Sequence, residues 1–140
     1  MYDIKKEDCG IMDLQLNDIV TAHYKTGKYI GEITNVGEQS YLVKVLAVLK
    51  HPTQGDLHHP KEAEVMLFHT RRALAYREQT NVPKKMVKIF EGEIPNYYDS
   101  LRSAVAELKE QLSKEESDWH KKSLEAMNEL EADYFGNNKG

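Results

Sequence analysis

The periodicity of this chain changes once, at about Gly92. Up to that point the apolar residues fall in short β-rich runs with a period of two, and beyond it they recur at a helical spacing of about 3.6. A run of strands followed by a run of helices predicts an α+β fold in which the helices gather against one side of a sheet. The 140 residues suffice for one core, or one small domain with a helical appendage. Hydrophobic residues at 40% and charged residues at 30% can fill such a core and solvate its exterior. The longest uninterrupted apolar run is Val45 to Leu49, against the roughly 20 residues of a membrane-spanning helix, so no direct membrane insertion is expected.

In the first part, Asp18 to Lys25, Tyr29 to Val36 and Tyr41 to Lys50 are strand-like runs parted by Thr26-Gly27 and Gly37-Glu38-Gln39-Ser40, the composition of a β-meander. The third run has two mainly apolar faces, Val43, Val45, Ala47 and Leu49 on one and Leu42, Leu46 and Val48 with Lys44 on the other. That pattern predicts a central strand. His51-Pro52 ends it, because proline lacks a backbone donor, and a loop of about ten residues runs to Pro60. Glu64 to Thr70 and Leu74 to Gln79 are expected as further strands with Arg71 to Ala73 at the bend. A proline-containing turn, Asn81 to Met86, then leads to a short last strand, Val87 to Phe90. Five or six short strands of this kind predict a small SH3-like β-barrel over residues 17–92.

In the second part, Leu101, Ala104, Val105, Leu108 and Leu112 mark one face of a helix from about Tyr97 to Leu112, entered through Pro95-Asn96. Ser113 to Glu116 has capping-box spacing and predicts the start of a second helix. Trp119, Ser123, Met127, Leu130 and Tyr134 form its apolar side, and Gly136 ends it. So short a connection makes the pair an antiparallel helical hairpin over residues 93–136, packed on the barrel. Residues 1–16 are expected as a mobile N-terminal arm that touches the body only at its end, and residues 137–140 as a frayed tail.

The net charge of −4 is unevenly distributed. Residues 1–90 carry +2 and residues 91–140 carry −6, and the stretch from Lys44 to Lys88 is locally +5. Opposite charge on two segments of one chain predicts that they dock on each other or meet complementary partners. The acidic second part and the scarcity of aromatic stacking platforms speak against nucleic acid as a partner. A lone cysteine, Cys9, cannot form an internal disulfide and fits a reducing, cytoplasmic compartment. Its charged surroundings, Lys5, Lys6, Glu7 and Asp8, do not read as a secretion or lipidation signal.

The most conspicuous chemical candidates are His51, His58, His59 and His69 with Asp56 among them, since zinc accepts imidazole and carboxylate ligands. Adjacent residues of an extended chain point opposite ways, so His58 and His59 seldom reach one ion, and no metal or other cofactor is expected. No set of acid, base and oxyanion donors can be assembled, Cys9 lies among acids that disfavour its thiolate, and no catalytic residue or enzymatic activity is expected. Arg71, Arg72, Arg77, Lys84 and Lys85 with Tyr76 form a basic group suited to pairing with the acidic hairpin or to docking an acidic protein.

Several strings carry a resemblance to a known family. Tyr24-Lys25-Thr26-Gly27 with Tyr29-Ile30-Gly31-Glu32-Ile33, His51-Pro52, Gln54-Gly55-Asp56-Leu57-His58-His59-Pro60, the stretch from Arg72 to Asn81 with Pro83, and Ser117-Asp118-Trp119 resemble the kinase-associated protein B family of spore-forming Gram-positive bacteria. The resemblance spans roughly Asn17 to Phe135. It implies an SH3-like barrel followed by helices, and a non-enzymatic accessory protein that supports a membrane-bound sensor histidine kinase in the phosphorelay initiating sporulation. Some family members are called lipoproteins. This sequence has no lipobox at Cys9, so any membrane association is expected at the inner face and through the kinase.

The resemblance supplies no catalytic motif and places no contact residue. Because loops carry recognition more often than strands do, the expected partner-binding residues are Asp56, His58 and His59 in the long loop with Arg72, Tyr76, Arg77 and Glu78 further on. A homodimer is allowed if part of the hairpin stripe stays exposed. The alternative function is a small-ligand or metal-binding domain that uses the loop of His51, His58 and His59.

Overall fold

The computed structural model describes residues 14–55 and 70–136. Strands β1 (Ile19–Tyr24), β2 (Gly27–Val36), β3 (Ser40–Lys50), β4 (Gln79–Pro83) and β5 (Val87–Ile89) are followed by helices α1 (Tyr97–Leu112) and α2 (Asp118–Glu131). All strand pairs are antiparallel and the order across the sheet is β4-β3-β2-β1-β5. β1 to β4 form a meander, and a 3-10 turn at Lys84–Met86 carries the chain back so that β5 lies beside β1. The result is the SH3-like arrangement expected, open at the seam where β4 and β5 meet without a ladder among the described residues.

The sheet curls because β2 and β3 do not pair in a uniform register. Register shifts interrupt their ladder between Lys28 and Tyr29, Ile30 and Gly31, and Ile33 and Asn35. Such shifts bend and twist a strand pair. Gly31 stands at one of them, where a Cβ would lie 2.6 Å from the Lys44 carbonyl oxygen and 2.5 Å from Val43, so only glycine lets the strands approach this closely.

Two apolar cores result. Inside the curl, Val20, Ala22, Ile33, Tyr41, Val43, Val82 and Val87 pack together with Leu14, from the end of the expected arm, whose N–H donates to the Tyr41 hydroxyl at 3.2 Å. The second core lies between sheet and hairpin, where Tyr29, Val45 and Val48 meet Leu101, Val105, Leu112, Trp119, Met127 and Leu130. β3 serves both, with Tyr41 and Val43 in the first and Val45 and Val48 in the second. α1 is fastened to it by Ser100, whose Oγ accepts from the Val48 N–H at 2.9 Å and donates to the Tyr97 carbonyl at 2.7 Å.

α1 begins where the apolar periodicity places it, with Asn96 Oδ1 accepting from the N–H groups of Tyr98 and Asp99. The start of the second helix is different from that expected. Ser113 is the C-cap of α1, in helical conformation with its N–H bonded to carbonyls of the preceding turn, and cannot also cap the next helix. Ser117 takes that role and accepts from the His120 N–H. The regular helix stops at Glu131 and opens into a π-helical turn, Ala132–Gly136.

The strand expected over Leu74 to Gln79 does not form. Ala75 to Glu78 make a tight turn in which the Glu78 N–H donates to the Ala75 carbonyl and the Ala75 N–H donates to Glu78 Oε1, with Arg77 at φ 71°. The regular ladder to β3 starts at Gln79, preceded by two backbone bonds, from the Arg77 N–H to the Val45 carbonyl and from the Val45 N–H to the Glu78 carbonyl. The expected strand Glu64 to Thr70 lies almost wholly outside the described residues.

Candidate functional site

The chain before this turn is held by side chains instead of a β-ladder. The backbone of Arg71 is bracketed by Gln54, whose Oε1 accepts from Arg71 N–H and whose Nε2 donates to Arg71 carbonyl, both at 2.9 Å. Gln54 is only 3% exposed and stands in for a strand partner. The Ala73 N–H donates to the Tyr134 hydroxyl at 2.9 Å, the Leu74 N–H to the Tyr29 hydroxyl at 3.3 Å, and the Tyr97 hydroxyl donates to the Leu74 carbonyl at 2.5 Å. Three tyrosines, one each from β2, α1 and the π-helical turn, thereby satisfy backbone groups whose burial without partners would be costly. Burial pushes the Tyr29 phenol up to about 12 and raises those of Tyr97 and Tyr134, so all three stay protonated, the first and last accepting from backbone N–H groups and Tyr97 donating to a carbonyl.

His51 completes this network. It is 1% exposed, with Nδ1 3.0 Å from the Pro52 carbonyl and Nε2 3.0 Å from the Tyr134 hydroxyl. A carbonyl only accepts, so Nδ1 carries the proton and Nε2 accepts from Tyr134. Burial, and secondarily the nearby Arg72, lower its pKa to about 4, against an opposing contribution from the Pro52 bond. His51 is therefore a neutral structural link at physiological pH, with both nitrogens engaged. Among the described residues no cluster of His, Cys, Asp and Glu could hold a metal ion.

Around the held segment lies a groove of about 400 Å³ at the junction of barrel and hairpin, lined in part by Arg72, Tyr76, Glu78, Tyr97, Tyr98 and Tyr134. Tyr76 and Tyr98 are 47% and 53% exposed, and each packs on Tyr97, with ring centroids 5.5 and 5.0 Å away. The positive φ of Arg77 is uncommon for a residue with a side chain and sets the turn that carries Tyr76. Arg72 spans the groove wall, with its Nη1 2.5 Å from Asp133 and its guanidinium 5.0 Å from the centre of the Tyr134 ring. This is one place where basic barrel and acidic hairpin meet as their charges predict.

Of the expected contact residues, Arg72, Tyr76 and Glu78 come together at this groove, and Arg77 is exposed in the adjoining turn. Arg77 and Glu78 do not form an internal ion pair under the hairpin, since both are exposed and the Glu78 carboxylate is turned onto the Ala75 N–H. Asp56, His58 and His59 lie outside the described residues. Sequence reasoning missed Tyr98, Tyr97 and Tyr29 as site-forming groups. The available signal was compositional, eight tyrosines against three phenylalanines, a bias toward aromatic residues that can also donate a hydrogen bond.

An open SH3-like barrel carrying a C-terminal helical hairpin, with an aromatic groove at their junction, defines a small α+β architecture, and comparison with known proteins identifies which group shares it. The family model for kinase associated protein B matches residues 24–135, and the chain belongs to that family. It is 55% identical over 121 residues to the kinase-associated lipoprotein B of Bacillus subtilis (strain 168), covering 86% of this chain and 94% of that protein. It is also similar to the crystal structure of kinase-associated protein B from Bacillus cereus, with a TM-score of 0.74 and 47% identity over 86% of this chain and 97% of that one.

Proposed function

We propose that this chain is a non-enzymatic regulatory accessory protein that binds a membrane sensor histidine kinase of the phosphorelay initiating sporulation. The observation that carries the reading is family membership over residues 24–135, with relatives named for association with a kinase. The groove between barrel and hairpin supplies a surface for the contact. Exposed tyrosines are rigid and amphipathic and are enriched among the residues that dominate binding energy, which makes Tyr76 and Tyr98 the anchors, with Arg72, Arg77 and Glu78 around them. Binding that favours one conformation of the kinase alters its activity by the difference in affinity between its states, so the accessory protein needs no catalytic group of its own. No helix among the described residues is long and apolar enough to cross a membrane, and membrane association in this reading comes through the kinase.

The test is titration of the purified protein into the cytoplasmic portion of the host's sporulation sensor kinase, recording binding heat and autophosphorylation rate together. Saturable binding with a changed rate is expected, weakened about tenfold or more by Tyr76→Ala or Tyr98→Ala. Absence of binding to that portion and to the full-length kinase in membranes overturns the reading.

A further inference from the structure

The sheet carries a second surface at the ends of its strands, which the groove does not use. β-Strand pairing places side chains of directly opposed residues on the same face. Thr21 pairs with Lys88 of β5, His23 with Lys28 of β2, and Lys28 with Lys50 of β3, while Thr21 and His23 lie two apart on β1. Lys88, His23, Lys28 and Lys50 thus lie on one face across four adjacent strands. His23, Lys50 and Lys88 are exposed and Lys28 is half-buried.

This basic face has no acidic partner among the described residues. Lys44 pairs with Glu32, Arg72 with Asp133 and Lys109 with Glu131, but Lys28, Lys50 and Lys88 make no ion pair there. Glu107 of α1 lines the adjoining crevice with Lys28 and Lys50 and forms no ion pair with either. The three cations are close enough to act on one another's surroundings: after its partial desolvation, Lys28, Lys50 and Lys88 are what hold the His23 imidazole below its usual pKa. Clustered like charge without a counter-charge is an unfavourable arrangement that a complementary surface relieves.

We propose that the face formed by His23, Lys28, Lys50 and Lys88 is a docking surface for an acidic segment of another protein. Its extent fits such a segment. Three inter-strand steps span about 14 Å, the length of about four residues of extended chain, so carboxylates at alternate positions of one segment can reach the lysines in turn. A long polyanion or an anionic bilayer would extend beyond this face toward the hairpin, where residues 91–140 carry −6, and be repelled there. A short acidic segment is not. The surface is separate from the groove and does not depend on the kinase reading, since an acidic segment of any partner meets the same chemistry.

The experiment uses the full chain and a deca-glutamate peptide, following the His23 ring by NMR across a pH series at low salt, with His23→Gln to assign its resonance. Saturable binding is expected, with the His23 pKa rising toward or above its ordinary value as carboxylates offset the lysines. Binding should weaken at least about tenfold in the K28Q/K50Q/K88Q variant, whose fold is checked by its thermal midpoint, and stay unchanged in a K114Q/K121Q control on the hairpin. Equal binding by the triple variant, or a His23 pKa unmoved at saturation, overturns the proposal. Tighter binding of a single-stranded oligonucleotide or of phosphatidylglycerol vesicles at matched charge overturns the choice of a protein segment. Should the kinase fail to bind while the peptide still binds, this surface stands and the kinase reading falls; the reverse result removes this surface alone.

Discussion

The two cores of this protein are closed by different means. The barrel interior is sealed mainly by apolar side chains on strands whose backbone groups pair with one another, with one hydroxyl, that of Tyr41, meeting the Leu14 N–H, whereas the junction between barrel and hairpin depends on several side-chain hydroxyls and an imidazole to satisfy a segment with no ladder of its own. Apolar side chains carry no titratable group, so their packing has no pH dependence of its own. A polar junction fixes one relative placement of barrel and hairpin, because a displaced hydroxyl leaves a buried donor or acceptor unmet. The groove, with its exposed tyrosines, lies on the more exacting of the two.

The largest effect is expected on the barrel side: Ile33→Ala removes a fully buried side chain and should cost about 2–5 kcal/mol by chemical denaturation, equally at pH 7.5 and pH 5. A cost that changed markedly between those pH values would mean that the cores are coupled.

On the junction side, His51 makes stability pH-dependent with a definite sign. Its folded pKa of about 4 lies below the ordinary histidine value of 6.5, so the unfolded chain binds the extra proton first and stability falls as pH drops through that window. The full loss is about 3 kcal/mol below both values, and His51→Gln should flatten this part of the pH–stability profile. A profile of unchanged slope would remove His51 from the account. Tyr134→Phe keeps the ring but leaves the Ala73 N–H and His51 Nε2 unmet, for a loss of about 1–3 kcal/mol with little change in the barrel's hydrogen-exchange protection. Protection lost equally in β1 and β2 would show one cooperative unit where two are drawn.

The smallest expected effect has the opposite sign. Ser123 Oγ and Trp119 Nε1, one turn apart on α2, are buried without a hydrogen-bond partner. Ser123→Ala removes an unsatisfied hydroxyl and should leave stability unchanged or raise it by up to about 1 kcal/mol. A clear destabilisation would point to a bound water that uses both groups.

Much of this architecture was legible before any coordinates. The period-two runs became β1, β2 and β3 with ends displaced by a few residues at most, and the apolar stripe from Leu101 to Leu112 marked α1, because burial of one face is a local and repetitive demand. Cap choice was less legible. Ser113 and Ser117 both offer a hydroxyl ahead of a helix, and what decides between them is that Ser113 is already spent on the end of α1. The stretch from Leu74 to Gln79 misled for a related reason: its composition suits a strand, yet Leu74 is held by tyrosines distant in sequence and Ala75 to Glu78 close a turn, so that backbone bonds to β3 begin only at Arg77.

The sequence by its own patterns determined the first three strands, the apolar stripes of both helices and the likeness to the family, since each rests on residue identity repeated at short spacing. Only the tertiary structure decided that His51 is a neutral hydrogen-bond link, that Tyr29, Tyr97 and Tyr134 converge on one backbone segment, and that Lys28, Lys50 and Lys88 share a face with His23. Those partners lie on different elements, and a hydrogen bond or a charge cluster depends on distance in space, which no local pattern along the chain encodes.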